Sequence, residues 1–261
     1  MTRTDDLGRT FAWYGPPQRI VSLCPSQTEY LYALGLADRI VGRTRFCIHP
    51  QPAIAGARRV GGTKDVDLVR IRALRPDFIL AEMEEQTREV VERLAREYPV
   101  AVTRVENLTD GLRMLQTVGT WVGRDALANV WHGRIARAFD SIPPAPALRT
   151  AYLIWRNPWM GAGPNTYIDS ILAHLGLVNI WTYPAARYPT FDLADLAGSE
   201  PELVLLSSEP YPFRARHVAE IQSVVPKARV LLVDGEWFSW YGVRMWSAAD
   251  ALRHLVRQMR R

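Results

Sequence analysis

The chain has 261 residues, 48% hydrophobic and 23% charged, with a formal net charge of +5. This globular balance can build one large domain or two lobes with buried cores, and it excludes a mostly disordered or fibrous chain. No apolar run approaches the ~18 residues of a membrane span, and with only two lysines, Lys64 and Lys227, the positive charge sits on dispersed arginines rather than in a nucleic-acid patch. Two cysteines, Cys24 and Cys47, cannot form a disulfide framework, as expected in a reducing compartment. The N-terminus has neither an apolar h-region nor a small-residue cleavage site, so a cytoplasmic location is expected. A periplasmic or extracellular one would require a leader already removed.

Arg19–Leu23 reads as a strand, followed by a helix with Ser26 as N-cap, Glu29 at capping-box spacing and Gly35 as its stop. Ile40-Val41 opens a second strand and Gly61-Gly62 marks a loop. Asp67 caps a helix over 68–74, and Pro76 precedes a strand over 77–81. An amphipathic helix is expected over 84–97, with Val90, Val91 and Leu94 on one face, then a strand over 99–103. Helical spacing over 108–118 and 124–141 ends at the proline-rich Ser141-Ile-Pro-Pro-Ala-Pro146. Alternation then resumes: a strand over 149–155, a helix capped by Asn165 and ending at Gly176, and a short helix over 192–197. A strand over 202–207, a helix over 214–224, a strand over 229–234 and a closing helix over 247–259 complete the chain. Strand–helix alternation of this kind predicts parallel sheets covered by helices.

The halves resemble each other. Asp67-Leu68, Ile71 and Pro76-Asp77-Phe78-Ile79-Leu80 match Asp192-Leu193, Leu196 and Pro201-Glu202-Leu203-Val204-Leu205 at one constant offset. Ala33-Leu34-Gly35-Leu36 likewise resembles His174-Leu175-Gly176-Leu177. The expected fold is therefore α/β: two Rossmann-like lobes, residues 1–122 and 147–261, joined by a single long helix within 123–146.

Ligands of open parallel sheets bind beyond the carboxyl ends of the strands. The segments there supply the candidate ligand-binding residues: Pro25 and Ser26; Phe46 and His49; Thr63 and Lys64; and Glu82. The second half adds Trp155, Arg156, Trp159, Glu209, Tyr211, Glu236, Trp237, Trp240 and Tyr241. Large rings in irregular segments offer flat apolar contact to a bulky ligand; the alternative is that each packs as a satellite core. Cys47-x-His49 could supply a soft and an imidazole metal ligand, completed by Glu209, Asp234 or Glu236. Against this, a closed zinc site wants four ligands and no second Cys/His pair exists, so a buried cysteine and a structural histidine are the favoured reading. Gly61-Gly62-Thr63-Lys64 lacks P-loop spacing, and no serine-nucleophile elbow, zincin helix or dinucleotide fingerprint occurs.

Arg19-Ile-Val-Ser-Leu-Cys-Pro-Ser-Gln-Thr-Glu-Tyr-Leu-Tyr-Ala-Leu-Gly-Leu36, with Val60-Gly-Gly62, Asp67-Leu68 and Leu74-Arg-Pro-Asp-Phe-Ile-Leu80, resembles the cobalamin- and siderophore-binding periplasmic receptors of the helical backbone metal receptor superfamily. The resemblance runs from about Arg19 to the C-terminal helix. It implies two lobes on a connecting helix, with little hinge motion and non-catalytic binding of cobalamin, another corrinoid or a metal chelate in the cleft between them. Arg156 or Arg187 would contact the ligand's edge and His49 would offer an axial imidazole. The receptors' partner is an ABC permease, docked through one glutamate per lobe. Those positions fall at Val69 and Ala194, which cannot form ion pairs, so the small-molecule partner is expected and the permease is in doubt. The competing readings are a chelatase-like enzyme working through Cys47, His49 and Glu236, and an exported receptor whose leader is missing.

Overall fold

The computed structural model describes residues 1–181 and 186–260. They form two compact units. The first comprises Met1–Val105, Thr109–Ala136 and Tyr241–Arg244; the second comprises Glu106–Leu108, Arg137–Trp240 and the chain from Met245 onward.

The first unit contains β1 (Thr2–Thr4), β2 (Thr10–Ala12), β3 (Ile20–Ser22), α1 (Pro25–Ala33), β4 (Ile40–Arg43), β5 (Arg58–Arg59), α2 (Leu68–Leu74), β6 (Phe78–Glu82), α3 (Arg88–Ala95) and β7 (Val100–Thr103). Helices α4 (Leu108–Trp121) and α5 (Asp125–Asp140) follow, and the unit boundary falls inside α5. The sheet order is β5-β4-β3-β6-β7, every pair parallel. Strands β3, β6 and β7 are buried along their whole length, as sheets covered on both faces require. The core gathers Val21, Leu23, Ile71, Ile79, Ala81, Val91, Leu94, Val100 and Val102.

The N-terminal hairpin β1–β2 carries no hydrophobic periodicity, and sequence reasoning passed over it. It docks through Phe11, whose ring lies 5.6 Å from that of Trp121 and 5.9 Å from that of Phe78. Its turn lies on the outer edge of β7: Asp6 N donates to Val102 O (3.1 Å), Val102 N to Asp5 Oδ2 (3.1 Å) and Arg104 N to Asp6 Oδ2 (3.0 Å).

The second unit contains β8 (Arg149–Trp155), β9 (Trp159–Gly161), α6 (Tyr167–His174), β10 (Val178–Asn179), β11 (Thr190–Phe191), α7 (Leu193–Gly198), β12 (Leu203–Ser207), α8 (Ala215–Val224), β13 (Arg229–Val233), α9 (Glu236–Ser239) and α10 (Met245–Met259). Parallel strands run β10-β8-β12-β13, while β9 pairs antiparallel with the far end of β8 and β11 with β9. The winding repeats that of β4-β3-β6-β7, and the core positions repeat with it: Leu196, Val204 and Leu206 stand where Ile71, Ile79 and Ala81 stand in the first unit. Helices α1 and α6 end alike. Gly35 (φ 70°) and Gly176 (φ 82°) sit in the left-handed region; Leu36 N donates to Leu31 O and Leu177 N to Leu172 O, closing both ends as Schellman motifs.

Three expected caps move. Cys24 is the N-cap of α1 and makes no side-chain cap bond, a thiol being a weak acceptor, while Pro25 takes the first helical position; Ser26 lies inside the helix and Glu29 pairs with Arg244 instead. Helix α3 starts after Thr87 rather than at 84, since Glu82 and Gln86 fold the preceding residues into a turn. Thr166, whose hydroxyl accepts from Asp169 N (3.1 Å), caps α6, while Asn165 occupies a positive-φ position (59°) just before it. Asp67 caps α2 as expected, and Asp192, read from the sequence as the first residue of its helix, is the N-cap of α7.

Candidate ligand-binding site

In each unit the loops that follow the parallel strands carry the candidate residues. In the first, Pro25 and Ser26 are buried at the start of α1. Arg45 bridges two loops: its guanidinium lies 2.8 Å from Asp65 and 4.8 Å from the centre of the Phe46 ring. Phe46 and Ile48 are exposed, His49 is half-buried and Thr63 is buried beside the exposed Lys64. Lys64 Nζ donates to Glu84 O, tying the loop after β5 to the loop after β6. This brings Phe46, Lys64 and Glu82 onto connected segments.

Beneath them lies a layer of buried polar groups at the strand ends. Thr28 Oγ1 donates to Ser22 Oγ (2.8 Å), Gln27 Nε2 to Thr103 Oγ1 and Gln86 Nε2 to Leu23 O (2.9 Å). Glu82, 1% exposed, accepts Glu84 N (2.7 Å) and Glu85 N (3.2 Å) on Oε2. Its Oε1, like Gln27 Oε1, is buried with no hydrogen-bond partner. Loss of water pushes the Glu82 carboxyl up to about 8, and the nearby Glu85 charge adds to the effect. Tyr241 belongs to the same unit, its hydroxyl 3.4 Å from Cys24 Sγ.

Cys47 and His49 do not gather as a metal centre. Cys47 Sγ is buried against the hydroxyls of Thr28 and Thr44, each at 3.1 Å, and burial raises its thiol above the ordinary range. A protonated thiol is a poor metal ligand. Among the described residues no group of three or more His, Cys, Asp or Glu side chains could hold an ion.

The second unit turns much of its aromatic set inward. Trp159 stacks on Phe213 (6.1 Å, planes 6° apart), and Tyr211 lies edge-on to Phe213 (4.8 Å) and to Trp155 (5.8 Å). His217 is buried in the same cluster, its nitrogen 3.4 Å from the Tyr211 hydroxyl. For Trp159 and Tyr211 this is the satellite-core alternative, whereas Trp155 keeps 39% of its surface open. Arg156 forms a fork on Glu220 (2.8 and 3.2 Å), and Arg187 pairs with Glu106 at 2.6 Å. Glu209 Oε1 accepts Ser239 Oγ (2.6 Å) and Trp240 Nε1 (2.8 Å), which buries Trp240. Glu236 and Trp237 are half-buried on the short helix α9, whose start is held by Asp234 Oδ1 accepting Glu236 N (3.1 Å). Burial raises the Glu209 carboxyl, and the Glu236 and Asp234 charges raise it further.

Sequence reasoning missed Gln27, Thr103, Phe213, His217 and Ser239. A usable signal existed for part of this set: Ser22, Glu82, Thr103 and Ser207 are all polar residues that terminate apolar strand runs.

Residues 20–234 match the sequence profile of the periplasmic binding protein family. The chain belongs to that family. Among its curated relatives, the vitamin B12-binding protein of Pectobacterium carotovorum subsp. carotovorum (strain PC1) is 26% identical over 249 residues, covering 92% of this chain and 89% of the relative. The vitamin B12-binding protein of Vibrio campbellii is 22% identical over 232 residues, covering 87% and 76%. The fold agrees with solved structures of binding proteins. The vitamin B12-binding protein BtuF of Vibrio cholerae superposes with a TM-score of 0.78 at 19% identity, covering 94% of this chain and 99% of that one. A heme-binding protein of Pseudomonas aeruginosa gives 0.77 at 24% identity, covering 92% of each.

Proposed function

We propose that this chain is a non-catalytic binding protein for a corrinoid such as cobalamin, or for a closely related tetrapyrrole chelate. The observation that carries the reading is the near full-length relationship to vitamin B12-binding proteins in a chain of the periplasmic binding protein family. Exposed Phe46 and Trp155 at strand-end loops support it, because flat rings suit a macrocycle. The chelatase reading has no support, since the thiol it would use is buried and held protonated.

Val69 and Ala194 occupy the second positions of α2 and α7 and are both exposed. In this reading the chain therefore has no carboxylate at either place to meet a permease arginine. The test is a titration with cyanocobalamin followed by tryptophan fluorescence, corrected for the ligand's absorbance; the chain carries nine tryptophans as reporters. Saturable quenching at micromolar ligand or below is expected, weakened about tenfold by Phe46→Ala, the order of losing one well-placed aromatic contact. Absence of any saturable response overturns the reading.

A further inference from the structure

Strand β4 ends in Arg43, and its neighbour β5, the outer strand of the first unit's sheet, is made of two arginines. Arg43 and Arg59 stand in register on these parallel strands, so their side chains leave the same face of the sheet from Cα atoms about 4.8 Å apart. Arg58 is in register with Gly42 and leaves the opposite face, which Leu74 of α2 covers.

Arg43 is 5% exposed. Its Nε donates to Ile54 O (3.0 Å) and its Nη1 to Thr44 O (3.1 Å) and Cys47 O (3.0 Å), which leaves Nη2 without a partner. Among the described residues neither Arg43 nor the exposed Arg59 has an ion pair, and the Arg59 side chain has no hydrogen bond. Burial, and after it the Arg59 charge, push the Arg43 guanidinium below its ordinary range. Buried cations are ordinarily paired, and like charges set opposite each other on neighbouring strands destabilise a sheet. Both penalties fall on this one spot.

We infer that Arg43 and Arg59 bind a phosphate group, free or as a monoester, held between their guanidiniums. Two cations with no counter-charge call for an anion of about −2, which a phosphate monoester approaches at neutral pH. The guanidinium fork presents N–H donors at the spacing of phosphate oxygens. Three carbonyls already fix the Arg43 side chain, so little of its freedom is lost on binding. Neither arginine is a candidate contact for the tetrapyrrole, so the site stands apart from the proposed function.

The test is calorimetric titration of the intact protein with sodium phosphate and, separately, with phenyl phosphate, in chloride buffer of matched ionic strength. Saturable binding is expected, weakened about tenfold or more by Arg59→Gln, the order of losing one hydrogen-bonded charge. Arg59→Gln keeps the fold, since its side chain holds no other group. Arg58→Gln removes the same charge from the opposite face and is expected to change affinity by less than about twofold. Tighter binding of the inorganic ion identifies free phosphate as the occupant, and the reverse order identifies the monoester; either supports the site. No saturable binding of either probe overturns the inference. So does an equal loss in Arg58→Gln and Arg59→Gln, which would mark a diffuse response to surface charge. Neither failure touches the cyanocobalamin titration, which reads a different set of residues.

Discussion

Glu82 and Ser207 occupy the same place in the two units, the last residues of the matched strands β6 and β12, and each does the same local job. Glu82 Oε2 accepts the N–H groups of Glu84 and Glu85; Ser207 Oγ accepts that of Glu209 (3.3 Å) and donates to its carbonyl (2.5 Å). The difference lies in what remains. Ser207 is neutral and receives a further bond from the Tyr152 hydroxyl (3.2 Å). Glu82 keeps one oxygen buried with no partner, so the first unit ties its turn with a group that must hold a proton. A buried turn can be closed at no electrostatic cost by a hydroxyl, or made sensitive to pH by a carboxyl.

The largest expected effect breaks that contrast directly. The Glu82 carboxyl stands at about 8 in the folded chain against an ordinary 4.5. Folding therefore takes up a proton between those values. Stability from this group is full below about pH 4.5, falls as pH rises, and has been lost above about pH 8, a change on the order of 5 kcal/mol. Urea unfolding at pH 5, 7 and 9 should show Glu82→Gln losing this slope and exceeding the parent at pH 9. Parallel curves for parent and variant would mean that Glu82 is ionised in the fold. Ser207→Ala should shift stability by the same amount at every pH.

A middle-sized effect contrasts α1 with α6. By the match at Gly35 and Gly176, Glu29 corresponds to Ser170. Glu29 binds Arg244 through two bonds (2.6 and 2.9 Å), whereas Ser170 Oγ accepts Leu108 N (2.9 Å). Arg244→Ala should cost about 2 to 3 kcal/mol, since it strands a half-buried carboxylate, and Ser170→Ala about 1 kcal/mol. Chemical denaturation of both variants at one pH decides the ranking; equal losses would show that the charge on Glu29 adds nothing. The smallest effect separates the matched caps. Asp67→Ala should cost about 0.5 to 1 kcal/mol and Asp192→Ala slightly more, because Asp192 N also donates a return bond to Asp195 Oδ2 (3.0 Å), a reciprocal pair that the loss of the Asp192 side chain breaks. Melting temperatures of the two variants measure the difference.

Much of the fold was legible because it rests on periodicity and on punctuating residues. Asp67, Asp192, Gly35 and Gly176 each encode their role locally, and the two lobes followed from their repetition. The short strands β9, β10 and β11 were not legible, since two or three residues carry no pattern and their pairing is set by β8. The site divided along the same line. Strand-end positions could be named, but whether a ring faces a ligand or its neighbours depends on long-range packing. Phe213, unremarkable in sequence, draws both Trp159 and Tyr211 into contact.

The Asp5-Asp6 turn on β7 has a consequence for how copies of this chain treat one another. An outermost strand with free N–H and C=O groups is a template on which a second molecule can add its own strand. Here the Asp5 carboxylate occupies the Val102 N–H and the Asp6 amide occupies the Val102 carbonyl. The hairpin is thus a plug against sheet-to-sheet growth, made from the first residues of the chain. Replacing Asp5 and Asp6 by alanine is expected to leave Phe11 seated on Phe78 and Trp121 yet turn the protein toward aggregation.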